Sequence, residues 1–183
     1  MPIKIIIADD HALLRQGIRN VLELEEDLLV IGEAGDGEQA VEKTVELMPD
    51  ILLLDINMPK FTGLEVIRKI NEQIKTVKII VLTMHDDENY VMEVIKAGAV
   101  GYLLKDIEAG MLVTAIRTVY EGESFIYPTL AKKLFGQISR QHEESKEAAR
   151  KREEQKEEKE DRDDKEEWLS CREIEVLVMV CKG

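Results

Sequence analysis

The chain has only two cysteines in 183 residues, Cys171 and Cys181, ten apart and with no histidine or further cysteine beside them. They meet no short zinc-binding spacing, and reduced thiols in a cytoplasmic setting are the expectation. Long apolar runs are also missing, none approaching the roughly 18–20 residues needed to cross a bilayer. The start, Met1-Pro-Ile-Lys4, leads directly into a strand-like run and lacks the layout of a secretory signal. A cytoplasmic protein with no membrane role is therefore expected. There is no basic surplus either. The 25 Lys and Arg face 38 Asp and Glu, for a formal net charge of -13, which argues against broad adhesion to nucleic acid through this chain's own surface. No GxxxxGK[ST] loop occurs, which disfavours a nucleotide hydrolase, and Gly32-Glu-Ala-Gly-Asp-Gly37 lacks the GxGxxG spacing of a dinucleotide site. His11 and His85 form neither HxH nor HExxH; they read as a helix-start residue and a loop-lining residue.

What is present is a composition able to bury a core, 44% hydrophobic, beside a charged fraction of 34%. The excess charge is concentrated, since 22 of the 30 residues from 139 to 168 are charged. Before that run, strand-like and helix-like segments alternate. Ile3–Ala8, Ile51–Asp55 and Lys78–Thr83 are short and almost continuously apolar, as expected of strands covered on both faces of a parallel sheet. Leu29–Ile31 and Val100–Leu104 are weaker candidates. Between them, apolar residues recur three to four apart: Leu14, Ile18, Val21 and Leu22; Ala40, Val41, Val45 and Leu47; Leu64, Ile67 and Ile70; Val91, Val94 and Ile95; Ile107, Leu112, Ala115, Ile116 and Val119. Five βα units predict an α/β fold, a (βα)5 doubly wound parallel sheet. Asp36, Asp87 and Asp106 stand where helix caps belong, and Gly35-Asp-Gly37 reads as a tight turn before a helix.

Past Gly122 the alternation stops. Pro128 suits the first turn of a short helix carrying Leu130, Leu134, Phe135 and Ile138. In the charged run, Glu147/Lys151, Glu158/Arg162 and Asp161/Lys165 favour helix, while Glu153/Glu157, Glu154/Glu158 and Glu160/Asp164 oppose it by similar amounts. With no apolar stripe to bury, a linker is expected in preference to a persistent solvated helix. Apolar periodicity returns at Trp168, with Ser170 and Glu173 in the capping-box pattern. The expected organisation is a domain over 1–127, a short helix and charged linker over 128–167, and the truncated opening of a second domain over 168–183.

In an open parallel sheet the functional crevice lies beyond the carboxyl ends of the strands. Asp9 and Asp10, Asp55, Thr83 and Lys105 fall on four such ends. Each alone has a plain reading: a helix cap, a turn former, a strand-end threonine, a solvated loop lysine. Together they place three carboxylates where they repel, and a hard divalent cation, Mg²⁺ or in its stead Mn²⁺, is the natural way to hold them ionised. A carboxylate beside such a metal, with a lysine and a hydroxyl near, is suited to accept a phosphoryl group.

These residues carry a family resemblance. Ile7-Ala-Asp-Asp-His11, Asp55-Ile-Asn-Met-Pro59 with Gly63, Leu82-Thr83, Ala97-Gly-Ala-Val-Gly-Tyr102 and Leu104-Lys105 resemble the receiver domain of bacterial two-component response regulators, a CheY-like, flavodoxin-like fold. Asp9-Asp-His-Ala-Leu-Leu-Arg-Gln-Gly17 is similar to the DDHxLxRxG start of the NarL/FixJ (LuxR-type) subfamily. His85–Tyr90 and Gly101–Asp106 resemble segments of its DegU-like members. Leu169-Ser-Cys-Arg-Glu-Ile-Glu-Val-Leu177 is similar to the opening of that subfamily's helix-turn-helix domain, with Ser170 in place of the commoner Thr. The resemblance implies Asp55 as phosphoacceptor, Asp9 and Asp10 as the acidic pair serving Mg²⁺, and Asn57 as a main-chain ligand. It implies Thr83 as the switch hydroxyl, Lys105 as the family's lysine and Tyr102 as the aromatic switch residue.

The same resemblance implies a phosphorelay regulator and not a turnover enzyme. Its partners would be a sensor histidine kinase and, on phosphorylation, a second copy of the chain, with DNA bound only through the missing part of the second domain. Two alternatives stay open. One is a receiver acting only as a protein-interaction module. The other is an aspartyl-phosphate phosphatase, which the absence of DxD at the first strand disfavours.

Overall fold

A computed structural model describes residues 1–84, 88–127, 130, 131 and 136, with the side chains of 88 and 89 left aside. The chain divides into two units, Met1–Phe135 and Gly136–Gly183, and every element below belongs to the first. The strands are β1 (Ile3–Ala8), β2 (Leu28–Ala34), β3 (Ile51–Asp55), β4 (Lys78–Thr83), β5 (Gly101–Leu104) and β6 (Phe125–Ile126). The helices are α1 (Ala12–Leu22), α2 (Gly37–Leu47), α3 (Gly63–Gln73), α4 (Glu88–Lys96) and α5 (Ala109–Glu121). All strand pairs are parallel, in the order β2-β1-β3-β4-β5-β6. The order reverses between β1 and β3, so a crevice opens at their carboxyl ends.

The period-2 alternation of each strand divides the core. Ile6, Leu52, Leu54, Ile79, Val81 and Tyr102 face Ala40, Val66, Ile67, Ile70, Val91 and Val94 of α2, α3 and α4. Ile5, Ile7, Leu53, Ile80, Leu82 and Leu103 face Ile18, Leu22, Leu112, Ile116 and Val119 of α1 and α5. Burial of each large aliphatic side chain contributes about 1.5–3 kcal/mol, which is why the central strands can be apolar throughout.

The bounds of β1, β3 and β4 coincide with the sequence expectation, whereas β2 runs longer than Leu29–Ile31 and β5 starts one residue late. β6 was not foreseen: two residues long, it exists through pairing with Gly101 and Tyr102. Asp36 caps α2, accepting from the Gln39 N–H. Asp106 caps nothing; α5 begins after Glu108, because Ile107 N–H closes a turn onto the Leu104 carbonyl. In α2 the buried face is Gly37, Ala40 and Thr44, while Val45 and Leu47 are exposed, contrary to the apolar pattern. Leu130 is helical and buried. Among the described residues no helix is long and apolar enough to cross a membrane. His85, Asp87, Leu134, Phe135, Ile138, the charged run, both cysteines and residues 168–183 lie outside the described residues.

Candidate functional site

The carboxyl ends of β1, β3, β4 and β5 bring together the residues expected from the sequence. Asp9 follows β1 and Asp55 ends β3, both strands being packed on both faces, and the two residues are themselves buried, as is Thr83. Lys105 follows β5, its N–H bonded to the Thr83 carbonyl at 2.8 Å, which fixes the two strand ends together. From there its ammonium lies 2.7 Å from Asp9 Oδ2 and 2.7 Å from Asp55 Oδ2, with side-chain exposures of only 5%, 1% and 3% for Lys105, Asp9 and Asp55. Beyond the contact with this ammonium, neither Oδ2 has a hydrogen-bond partner. The contacts are held by charge.

At the rim, Asp10 and His11 are exposed. His11 Nδ1 stands 2.8 Å from Asp10 Oδ1 and 3.3 Å from Asp9 Oδ1, and its main-chain N–H donates to Asp9 Oδ1 at 2.8 Å. The Asn57 N–H donates to Asp55 Oδ1 at 3.3 Å, and its side chain is exposed. The loop carrying Asn57 is fastened to the start of α2: the Gly37 N–H donates to the Pro59 carbonyl at 3.1 Å, and Lys60 Nζ pairs with Asp36 and Glu38 at 3.1 and 2.6 Å. A Cβ on Gly37 would overlap the Phe61 main chain, so only glycine lets these segments approach. Tyr102 is 1% exposed and lies inside the core.

The electrostatics follow from burial. Desolvation raises the Asp55 carboxyl above the ordinary aspartate range; Lys105 and the Asn57 N–H pull it down, Asp9 pushes it up, and desolvation prevails. For Lys105 burial acts downward, but the contacts with Asp55 and Asp9 together outweigh it and its pKa lies above that of an ordinary lysine. Two buried carboxylates against one ammonium leave a net negative charge, and Asp10 adds to it at the rim. Donor atoms of Asp9, Asp10, His11 and Asp55 all lie within 4.8 Å of one another. Hard oxygen donors, excess negative charge and buried oxygens with no partner beyond one lysine suit a divalent cation.

The fold and this pocket define an α/β domain with an acidic, metal-competent centre at the switch point of a doubly wound sheet. The chain belongs to the response regulator receiver domain family, which matches residues 5–117. It is 37% identical to the transcriptional regulatory protein DegU of Brevibacillus brevis, over 99% of this chain and 75% of that protein. It is 39% identical to the oxygen regulatory protein NreC of Staphylococcus epidermidis, over 98% of this chain and 78% of that one. A LuxR-family two-component response regulator from Aurantimonas sp. SI85-9A1 superposes with a TM-score of 0.72 at 29% identity, covering 76% of this chain and 99% of that structure.

Two residues of the site escaped the sequence reading. His11 was read as a helix-start residue, and it does stand at the N-cap of α1, without capping through its side chain. Its position directly after two aspartates was the available signal. Arg15 has no role in the sequence pattern beyond its place in the DDHxLxRxG-like start, yet its side chain reaches back to the Asp9 carbonyl. Its spacing of one turn from His11 was the signal there.

Proposed function

We propose that this chain is the phosphoryl-accepting component of a two-component relay, with Asp55 as the acceptor. The observation that carries this reading is the buried Asp9–Lys105–Asp55 cluster at the switch point. An Asp55 oxygen attacks the phosphorus of a kinase phosphohistidine; the new P–O bond forms as the P–N bond breaks, and the imidazole leaves with that electron pair. Desolvation, which raises the basicity of Asp55, also strengthens it as a nucleophile. Magnesium, or manganese in its stead, would be held by Asp9, Asp10, Asp55 and the Asn57 main-chain carbonyl, and would neutralise charge on the transferring oxygens. Lys105 supplies a second positive charge on the opposite side, and the Thr83 hydroxyl meets a phosphoryl oxygen once one is present.

The output is a shifted conformational equilibrium, not turnover of a substrate. Thr83, residues 84–90 and Tyr102 are the proposed moving parts, and self-association is the proposed consequence. The names of the DegU and NreC relatives support a regulatory role, in transcription for DegU; the reading assigns a receiver to 1–127, a linker to 128–167 and DNA-binding-domain sequence to 168–183. The test is labelling by a small acyl phosphodonor with Mg²⁺ and with a chelator, followed by sizing. Wild type is expected to take up one phosphoryl group only with the metal and to change its self-association; Asp55→Ala is expected to do neither. Labelling and sizing shifts retained in Asp55→Ala would overturn the reading.

A further inference from the structure

Arg15 is the one strongly basic residue of the Asp9–Gly17 stretch, and phosphoryl acceptance leaves it without a task. It sits one turn into α1, its main-chain N–H on the His11 carbonyl at 3.1 Å. Its guanidinium turns back beneath the β1–α1 connection. Nη1 donates to the Asp9 carbonyl at 2.6 Å, and Nε reaches Glu33 Oε2 on β2 at 3.3 Å. The Asp9 N–H donates to the Ala34 carbonyl at 3.1 Å. Both main-chain polar groups of Asp9 are thus tied to β2, the N–H directly and the carbonyl through Arg15.

A guanidinium so near a cation site would repel the cation unless its charge were balanced. Glu33 provides that balance. Its carboxyl is held below the ordinary glutamate range, first by Arg19 and then by Arg15, and Arg19 Nε lies 2.5 Å from Glu33 Oε1. The two arginines therefore share one carboxylate but differ in reach: the Arg19 bonds run to Glu33 and Glu23, whereas Arg15 continues to Asp9.

We propose that Arg15 is a positioning residue for the cation-binding half of the site: by holding the Asp9 carbonyl it fixes the peptide from which the Asp9 and Asp10 carboxylates project. The inference rests on reading Asp9, Asp10 and Asp55 as cation ligands. Arginine suits the task because its planar fork serves the carbonyl and the carboxylate together, which a lysine ammonium on a flexible stem does less well. Support of this kind, one shell behind a metal ligand, typically changes affinity by about 10–100-fold.

The experiment is Mn²⁺ titration of the full 183-residue chain by electron paramagnetic resonance, with melting temperature measured in parallel, for wild type, Arg15→Ala, Arg15→Lys, Arg19→Ala and Asp10→Asn. Arg15→Ala is expected to weaken Mn²⁺ binding about 10-fold, and Arg15→Lys to recover part of that loss. Arg19→Ala, which breaks the Glu33 pair from the other side, is expected to lower the melting temperature but keep the affinity within about twofold. Wild-type affinity in Arg15→Ala would overturn the inference, as would an equal loss in Arg19→Ala, since Arg15 would then be only a fold staple. Should Arg15→Ala not fold, Arg15→Lys decides, and undiminished affinity there overturns the proposal. Wild-type affinity in Asp10→Asn would overturn the cation reading itself, and this inference with it.

Discussion

Two clusters in this molecule each set one basic side chain against two carboxylates at nearly the same distances. Arg117 holds Glu25 and Asp27 at 2.8 and 2.6 Å, and Lys105 holds Asp9 and Asp55 at 2.7 Å each. Apart from the arginine's fork on Asp27, what separates them is their surroundings: the Arg117 group is 37–49% exposed, the Lys105 group 1–5%. In water such a cluster contributes little, because hydration competes with each contact and salt screens it. Removed from water it is costly to assemble, and an apolar trio of similar volume would often be as stable or more so. A fold has no need of the second arrangement. Its presence at the carboxyl ends of β1, β3 and β5 points to chemistry, and the contrast separates a surface contact that contributes little from a buried one suited to function.

The contrast can be broken most readily at Lys105. Lys105→Met would leave two buried carboxylates without a counter-charge, and in metal-free neutral buffer it should cost about 3–5 kcal/mol by urea denaturation. A loss as small as that of a surface mutation would refute the burial argument. Gly37→Ala tests the close packing of the same edge. Its Cβ would displace the Phe61 main chain, so a loss of about 1–3 kcal/mol together with weakened divalent-metal binding is expected.

A pH series sharpens the comparison further. The folded-state pKa of Asp55 lies above the unfolded value, so its contribution to stability is greatest at low pH. It falls as pH rises from the unfolded pKa through the folded one. Glu33 has the opposite sign: its folded pKa is depressed, and its contribution appears above the unfolded pKa and disappears on acidification through the folded one. Subtracting the stability–pH curve of Asp55→Asn from that of wild type should isolate the first behaviour; a rising difference curve would contradict it. The smallest effect is expected at Arg117→Ala, which should leave divalent-metal affinity within about twofold and change the denaturation midpoint only slightly.

The buried elements were the legible ones. β1, β3 and β4 are central, so apolar continuity alone marked their ends. β2 lies at an edge and contains Gly32 and Glu33, which hid its length, and β6 exists only by pairing with a partner distant in sequence. On α2 the pattern misled because Thr44 took the buried place and Val45 and Leu47 the solvent; a hydroxyl and a methyl on one side chain defeat a simple apolar count. At the site, Asp9, Asp55, Thr83 and Lys105 were readable because strand ends converge by topology. The contributions of His11 and Arg15 depend on side-chain reach across a turn, which spacing suggests without specifying.

The most direct measurement pairs stability with labelling in one variant, Asp55→Asn, free of metal for the first and with Mg²⁺ for the second. If the buried charge serves phosphoryl acceptance and not the fold, the variant takes no label from a small acyl phosphodonor while unfolding at the wild-type denaturant concentration or above it. Retained labelling, or destabilisation as large as that of Lys105→Met, would contradict the account.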